Sequence, residues 1–338
     1  MIPSEGRFEL GDFKLQSGSV LPDAFLGYST HGSLNEARDN VIVYPTWYTS
    51  RHQNAEPYIG SGKSLDPERY FIVVPDMFTN GLSTSPSNCA PPLNGINFPL
   101  VTPYDNVFAQ HRLLTEAFAV TGVELAMGFS MSGQQAYHWG ALFPDFVKRI
   151  CSICGSAKTA PHNWLHLNTY KTAMECADGW DNGNCETWPP KLLAVIASIA
   201  ATMAWSQDWY REGRYREAGA DSLDDFLLAA EGFFATWVPA DLYAQTRTWM
   251  TADVSANPRF NGDLDAALAS ITARALIMPC DTDMYFRVAD NEAEAAKMPN
   301  AELKVIQSSW GHMAGMPGAN PSDDDFVHAA LKELLGRE

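Results

Sequence analysis

Six short runs rich in β-branched and other apolar residues recur along this chain: Val41–Tyr44, Tyr70–Val74, Leu125–Met127, Val147–Ile153, Ala275–Met278 and Leu303–Ile306. Their length and composition predict strands. Helix-like stretches separate several of them, at Asn106–Val120, Gln134–Phe143, Glu292–Lys297 and Asp324–Leu335. That alternation predicts an α/β fold in which a mostly parallel sheet is covered by helices on both faces. In such sheets ligands bind beyond the C-terminal ends of the strands.

The rhythm breaks between about Lys158 and Phe260. Here the chain carries Trp- and Ala-rich helical segments, including Leu192–Trp205, Leu223–Phe234 and Leu242–Met250. Inserted before the last strands, a segment of this size forms a helical lid over the strand ends. The expected division is a core of residues 1–157 and 261–338 with a lid of 158–260. Lid tryptophans 164, 180, 188, 205, 209, 237 and 249 either line an apolar pocket or pack the lid onto the core. The most apolar stretch, Leu192–Ala204, is too short to span a bilayer and is followed by Gln207 and Asp208.

Composition narrows the function classes. With 338 residues and 46% apolar content, the chain buries a substantial core. A formal net charge of -17 repels nucleic-acid backbones and anionic membrane surfaces. The start, MIPSEGRFELGDF, lacks the basic region and apolar run of a signal peptide, so a cytoplasmic location is expected. Six cysteines are too sparse for a disulfide scaffold. Cys151 and Cys154 have redox-motif spacing but lie in a strand run, which favours a core role. Cys176 and Cys185 flank a Gly/Asn-rich turn where a local disulfide is conceivable.

Chemistry concentrates at Gly128-Phe129-Ser130-Met131-Ser132-Gly133, where an apolar run gives way to a helix. A serine at such an elbow is lifted clear of the sheet edge on a strained turn, and small neighbours let strand and helix approach. Ser132 stands where the pattern usually has Gly. A serine nucleophile needs an imidazole base, and the imidazole needs a carboxylate to fix its tautomer. With the order serine, acid, histidine, the best-placed base is His312, after the run Leu303–Ile306. His31, His52 and His111 precede the serine, His138 lies in its helix, His162 and His166 sit at the lid entrance, and His328 falls in the last helix. Asp281 and Asp283, after Ala275–Met278, are both candidate acids, and spacing does not separate them. The oxyanion needs two amides. Met131 N–H supplies one, and the loop Pro45-Thr46-Trp47-Tyr48-Thr49 is the expected source of the other.

With these residues in place, the chain resembles the homoserine O-acetyltransferase family of α/β-hydrolases, including its esterase branch. The landmarks are Gly32-Ser33-Leu34-Asn35, the loop after Val41–Tyr44, Gly60–Asp66, Asn80–Ser87, Phe98–Thr102 and Ser130-Met131-Ser132-Gly133. The resemblance implies Ser130 as nucleophile, His312 as base and, from Asp283-Met284-Tyr285-Phe286, Asp283 as acid. It places the second oxyanion amide on Trp47 beside that of Met131, and it implies a homodimer through the lid helices. Two departures bear on substrate. Met313 stands where homoserine acetyltransferases carry Asp after the Gly-His pair, and Ala200–Gln207 lacks their lid arginine. A zwitterion would then be buried without partners, which makes homoserine a poor substrate.

The expected function is serine-dependent hydrolysis of an acetyl or other short-chain ester through an acyl-enzyme. The alternatives are acetyl transfer from acetyl-CoA to a small alcohol, with acetyl-CoA as co-substrate, and a non-catalytic fold that binds a ligand or partner. No cofactor or metal is expected.

Overall fold

The structure is a computed structural model that describes residues 3–180 and 186–336. Its centre is an eight-stranded sheet: β1 (Ser4–Lys14), β2 (Val20–His31), β3 (Val41–Val43), β4 (Phe71–Pro75), β5 (Val123–Phe129), β6 (Arg149–Ile153), β7 (Arg274–Met278) and β8 (Ala301–Leu303). The spatial order is β1-β2-β4-β3-β5-β6-β7-β8. β1 and β2 pair antiparallel, as do β2 and β4, and all other pairs are parallel. The expected α/β sheet is therefore present.

Alternation along the central strands explains why it is covered twice. In β7, Ala275 and Ile277 pack with one buried cluster, whereas Leu276 and Met278 pack with the other. The first cluster includes side chains of α1 (Pro103–Arg112) and α2 (Met131–Leu142). The second takes in α10 (Pro321–Gly336) and much of the lid. From Ala275 to Met278 each side chain thus leaves water on whichever side it points, the condition that selects unbroken apolar runs.

Two differences from the sequence-based expectation have clear causes. β1 and β2 were not anticipated, because β1 lies at the sheet edge and buries only Leu10 and Phe13 of its eleven residues. The last strand begins earlier than Leu303–Ile306: Ala301–Leu303 pairs with β7, and contact resumes as a single bridge between Ile306 and Cys280.

Between β6 and β7 run α3 (Pro161–Glu175), α4 (Pro190–Ala204), α5 (Gln207–Arg211), α6 (Leu223–Phe234), α7 (Pro239–Met250) and α8 (Leu264–Ala269). α9 (Val288–Ala295) links β7 to β8. The tryptophans divide: Trp209 is fully buried against Trp205, Phe226 and Trp310, Trp164 is exposed, and Trp205 and Trp249 face the site described below. Among the described residues no helix is long and apolar enough to cross a membrane. Burial pushes the thiols of Cys151, in β6, and Cys154, just past its end, up, in keeping with a core position for both. The suggested Cys176–Cys185 pairing involves a residue outside the described ones.

Candidate active site

Ser130 is the hinge between β5 and α2. Its backbone has φ 58° and ψ −126°, a left-handed conformation that a non-glycine residue adopts at a cost of order 1–3 kcal/mol. Its N–H donates to Ile153 O at 2.9 Å, which anchors the turn to the neighbouring strand. A Cβ at Gly128 would lie 1.9 Å from Ser132 Oγ, so glycine is required there. Ser132 is accommodated because its hydroxyl donates to Pro45 O at 2.6 Å. The departure from glycine thereby ties the elbow to the loop after β3.

His312 sits on a short 3-10 turn, Gly311–Gly315, beyond β8. Gly311 has φ 64°, and a Cβ there would come 2.7 Å from Ser206 N. Thr282 Oγ1 donates to Ser308 O at 2.5 Å and accepts from Gly311 N–H at 3.1 Å, locking the histidine loop to the loop after β7. His312 Nε2 then lies 2.9 Å from Ser130 Oγ, and Nδ1 lies 2.8 Å from Asp283 Oδ2. The other oxygen, Asp283 Oδ1, accepts the amides of Tyr285 (2.7 Å) and Phe286 (3.2 Å). A carboxylate so bonded only accepts, which puts the imidazole proton on Nδ1 and turns the Nε2 lone pair toward the serine hydroxyl. Phe129, Tyr285 and Phe286 pack around the ring.

Asp281, the other candidate acid, is exposed and accepts Ser308 N–H at 3.1 Å. It supports the loop and does not meet the imidazole. The sequence favours a core role for Cys154 over a redox or metal one, and its sulfur lies within 4.8 Å of the ligand atoms of Asp283 and His312. Burial first, and then the Asp283 charge, hold its thiol well above the ordinary value. It stays protonated, the poorer state for binding a metal.

The two oxyanion candidates stand differently. Met131 N–H opens α2, where no intrahelical acceptor exists. Trp47 N–H donates to Ser50 Oγ at 2.6 Å, and that hydroxyl donates back to Trp47 O at 2.9 Å. Ser50 was not foreseen, although a hydroxyl three residues into a turn is a recognisable turn signal.

Ser130 and His312 open into a cavity of about 360 Å³ between the strand ends and the lid. Its walls include Trp47, Phe129, Tyr170, Trp249 and Tyr285, with Ala201, Phe226 and Met313 from the lid and the histidine turn. Among the described lining residues there is no lysine or arginine, and the one carboxylate is the exposed Asp225. A more open groove beside α8 and α9, about 940 Å³, contains none of Ser130, Asp283 and His312.

Comparison with known proteins agrees with this architecture. A family model described as the alpha/beta hydrolase fold matches residues 39–319. The chain is 35% identical to the ethyl acetate hydrolase of Pseudomonas veronii, over 98% of this chain and 96% of that one. It is 28% identical to a homoserine O-acetyltransferase of Thermobifida fusca, over 99% and 98% of the two chains. A solved acetylester hydrolase from Corynebacterium glutamicum matches with a TM-score of 0.93 at 34% identity, covering 99% of this chain and 96% of that one.

Proposed function

The chain belongs to the α/β-hydrolase family, and from that premise we propose that it hydrolyses small uncharged acetyl or other short-chain esters through an acyl-serine intermediate. The observation that carries this reading is the line Ser130–His312–Asp283, with contacts of 2.9 and 2.8 Å, opening into an apolar cavity of about 360 Å³. His312 takes the Ser130 proton as Oγ attacks the ester carbonyl. Amides at Met131 and Trp47 stabilise the oxyanion, each worth about 3 kcal/mol where it is aligned. The imidazolium protonates the departing alcohol, and water, activated by the same ring, releases the acid. No metal or cofactor takes part in these steps.

The similarity to a homoserine O-acetyltransferase supports a second reading, acetyl transfer from acetyl-CoA to an alcohol. The lining disfavours it for homoserine and for any anionic acceptor, because a buried carboxylate would meet no cation among the described wall residues. The test is ethyl acetate and p-nitrophenyl acetate turnover with and without homoserine, serine and neutral alcohols. Release of acetate unaffected by these acceptors supports hydrolysis, and conversion of acetate release into O-acetyl product supports transfer.

A homodimer through the lid helices and a cytoplasmic location complete the proposal. The dimer rests on the family resemblance and on the exposed apolar side chains of α4 and α6, Val195, Leu228 and Phe233. Sedimentation at micromolar concentration tests it.

A further inference from the structure

A second aspartate–histidine pair lies at the same end of the sheet, and the acyl-transfer steps make no use of it. Asp76 follows β4 and is completely buried. Its Oδ2 lies 2.6 Å from His52 Nδ1, and its Oδ1 accepts His52 N–H at 3.0 Å and Asn80 Nδ2 at 2.8 Å. The same Asn80 amide donates to Ser50 O at 3.2 Å. Ser50, also completely buried, accepts the N–H of Trp47 and donates to its carbonyl oxygen through one hydroxyl, so it holds the residue's backbone on both sides. At the front of the turn, Thr46 Oγ1 accepts Met77 N–H at 2.8 Å.

The chain of bonds His52–Asp76–Asn80–Ser50 therefore ends on the peptide that carries the candidate oxyanion donor. That turn needs external restraint. Thr49 is a β-branched residue at φ 60°, a conformation it would leave if unheld, and its N–H is held in turn by Gln245 Oε1 at 2.9 Å. An oxyanion donor acts only when fixed in advance to within a fraction of an ångström.

We propose that Ser50, Asn80, Asp76 and His52 are positioning residues that hold the Trp47 amide ready for the oxyanion. This rests on the acyl-serine reading above and adds to it a set of residues that touch neither substrate nor Ser130. The Trp47 N–H donates to Ser50 Oγ at 2.6 Å, and on this proposal it is shared in catalysis between that hydroxyl and the oxyanion.

The test is kinetics of Ser50→Ala and Asp76→Asn on p-nitrophenyl acetate, with the inhibition constant of a trifluoromethyl ketone, whose serine adduct carries an oxyanion. We expect each variant to lower kcat by about 30-fold with KM within about threefold, and to weaken the ketone by a similar factor. The double variant should lose no more than the worse single one, because both act through one peptide. A Ser50→Ala enzyme with unchanged or higher kcat overturns the proposal, as does loss of melting temperature alone with ketone affinity intact. If Asp76→Asn does not fold, Asn80→Ser takes its place with the same expected outcome. Failure of the underlying reading looks different: Ser130→Ala would retain turnover, whatever the Ser50 variant does.

Discussion

Among the described residues are two buried aspartate–histidine pairs, and they differ in what the second imidazole nitrogen faces. In Asp283–His312 that nitrogen meets the Ser130 hydroxyl, a group that can yield a proton. In Asp76–His52 it lies 3.2 Å from Glu5 Oε1, a carboxylate that only accepts. Burial disfavours a charged ring at His52, but the hydrogen bond and charge of Asp76, followed by those of Glu5, outweigh it and raise its pKa. The two carboxylates thus favour the protonated ring, in which both nitrogens donate and neither offers a lone pair. On the roles proposed above, the same two residue types make a base in one place and a strut in the other, and the third partner decides which.

The comparison breaks most sharply at Ser130 and His312. Ser130→Ala and His312→Ala should each lower kcat by about 10⁴–10⁶-fold, with the double variant little worse than either single one. Initial rates on p-nitrophenyl acetate measure this, and a twofold effect at His312 would erase the distinction between the pairs. Next is the choice of acid. Asp283→Asn should cost about 10⁴-fold in kcat by inverting the tautomer preference, whereas Asp281→Asn, on an exposed loop residue, should cost no more than about threefold. Equal losses would remove the geometric reason for preferring Asp283.

The smallest effect sharpens the other half of the comparison. Because the folded-state pKa of His52 is raised, the native protein holds this proton more tightly than the unfolded chain does. The stabilisation is fully present below the unfolded value of 6.5 and is lost as pH rises through the raised one. Denaturant melts of wild type and His52→Gln should show a wild-type advantage that shrinks above pH 6.5. Glu294 acts in the same direction at lower pH. Burial, set against bonds from Asn291, Tyr137 and Ala157, raises its pKa from 4.5 to about 7, so its contribution is lost between those values. Glu294→Gln should flatten the stability profile from pH 4.5 to 7 and leave the His52 component above it.

How much of this was legible beforehand follows from the range of each interaction. The central strands and Ser130 could be read because their signals are local: runs buried on both faces, and a small-residue elbow between strand and helix. β1 escaped because an edge strand exposes most of its side chains, and β2 because its buried positions are interrupted by exposed and half-buried ones and so form no continuous apolar run. Asp283 and Asp281 sit two residues apart on one loop, so spacing could not rank them, and only the family pattern preferred the one that meets His312. The Ser50–Asn80–Asp76–His52 network was invisible for a further reason. Its members come from two loops that only the parallel pairing of β3 and β4 brings together.

The most direct test of the central claim is to acid-quench the enzyme during p-nitrophenyl acetate turnover and map the acetyl group by peptide mass spectrometry. The account predicts acetyl on the peptide at Ser130, absent from Ser130→Ala and accumulating no faster than background in His312→Ala. Steady turnover with no acetyl at Ser130, or with acetyl carried by another residue, would contradict it.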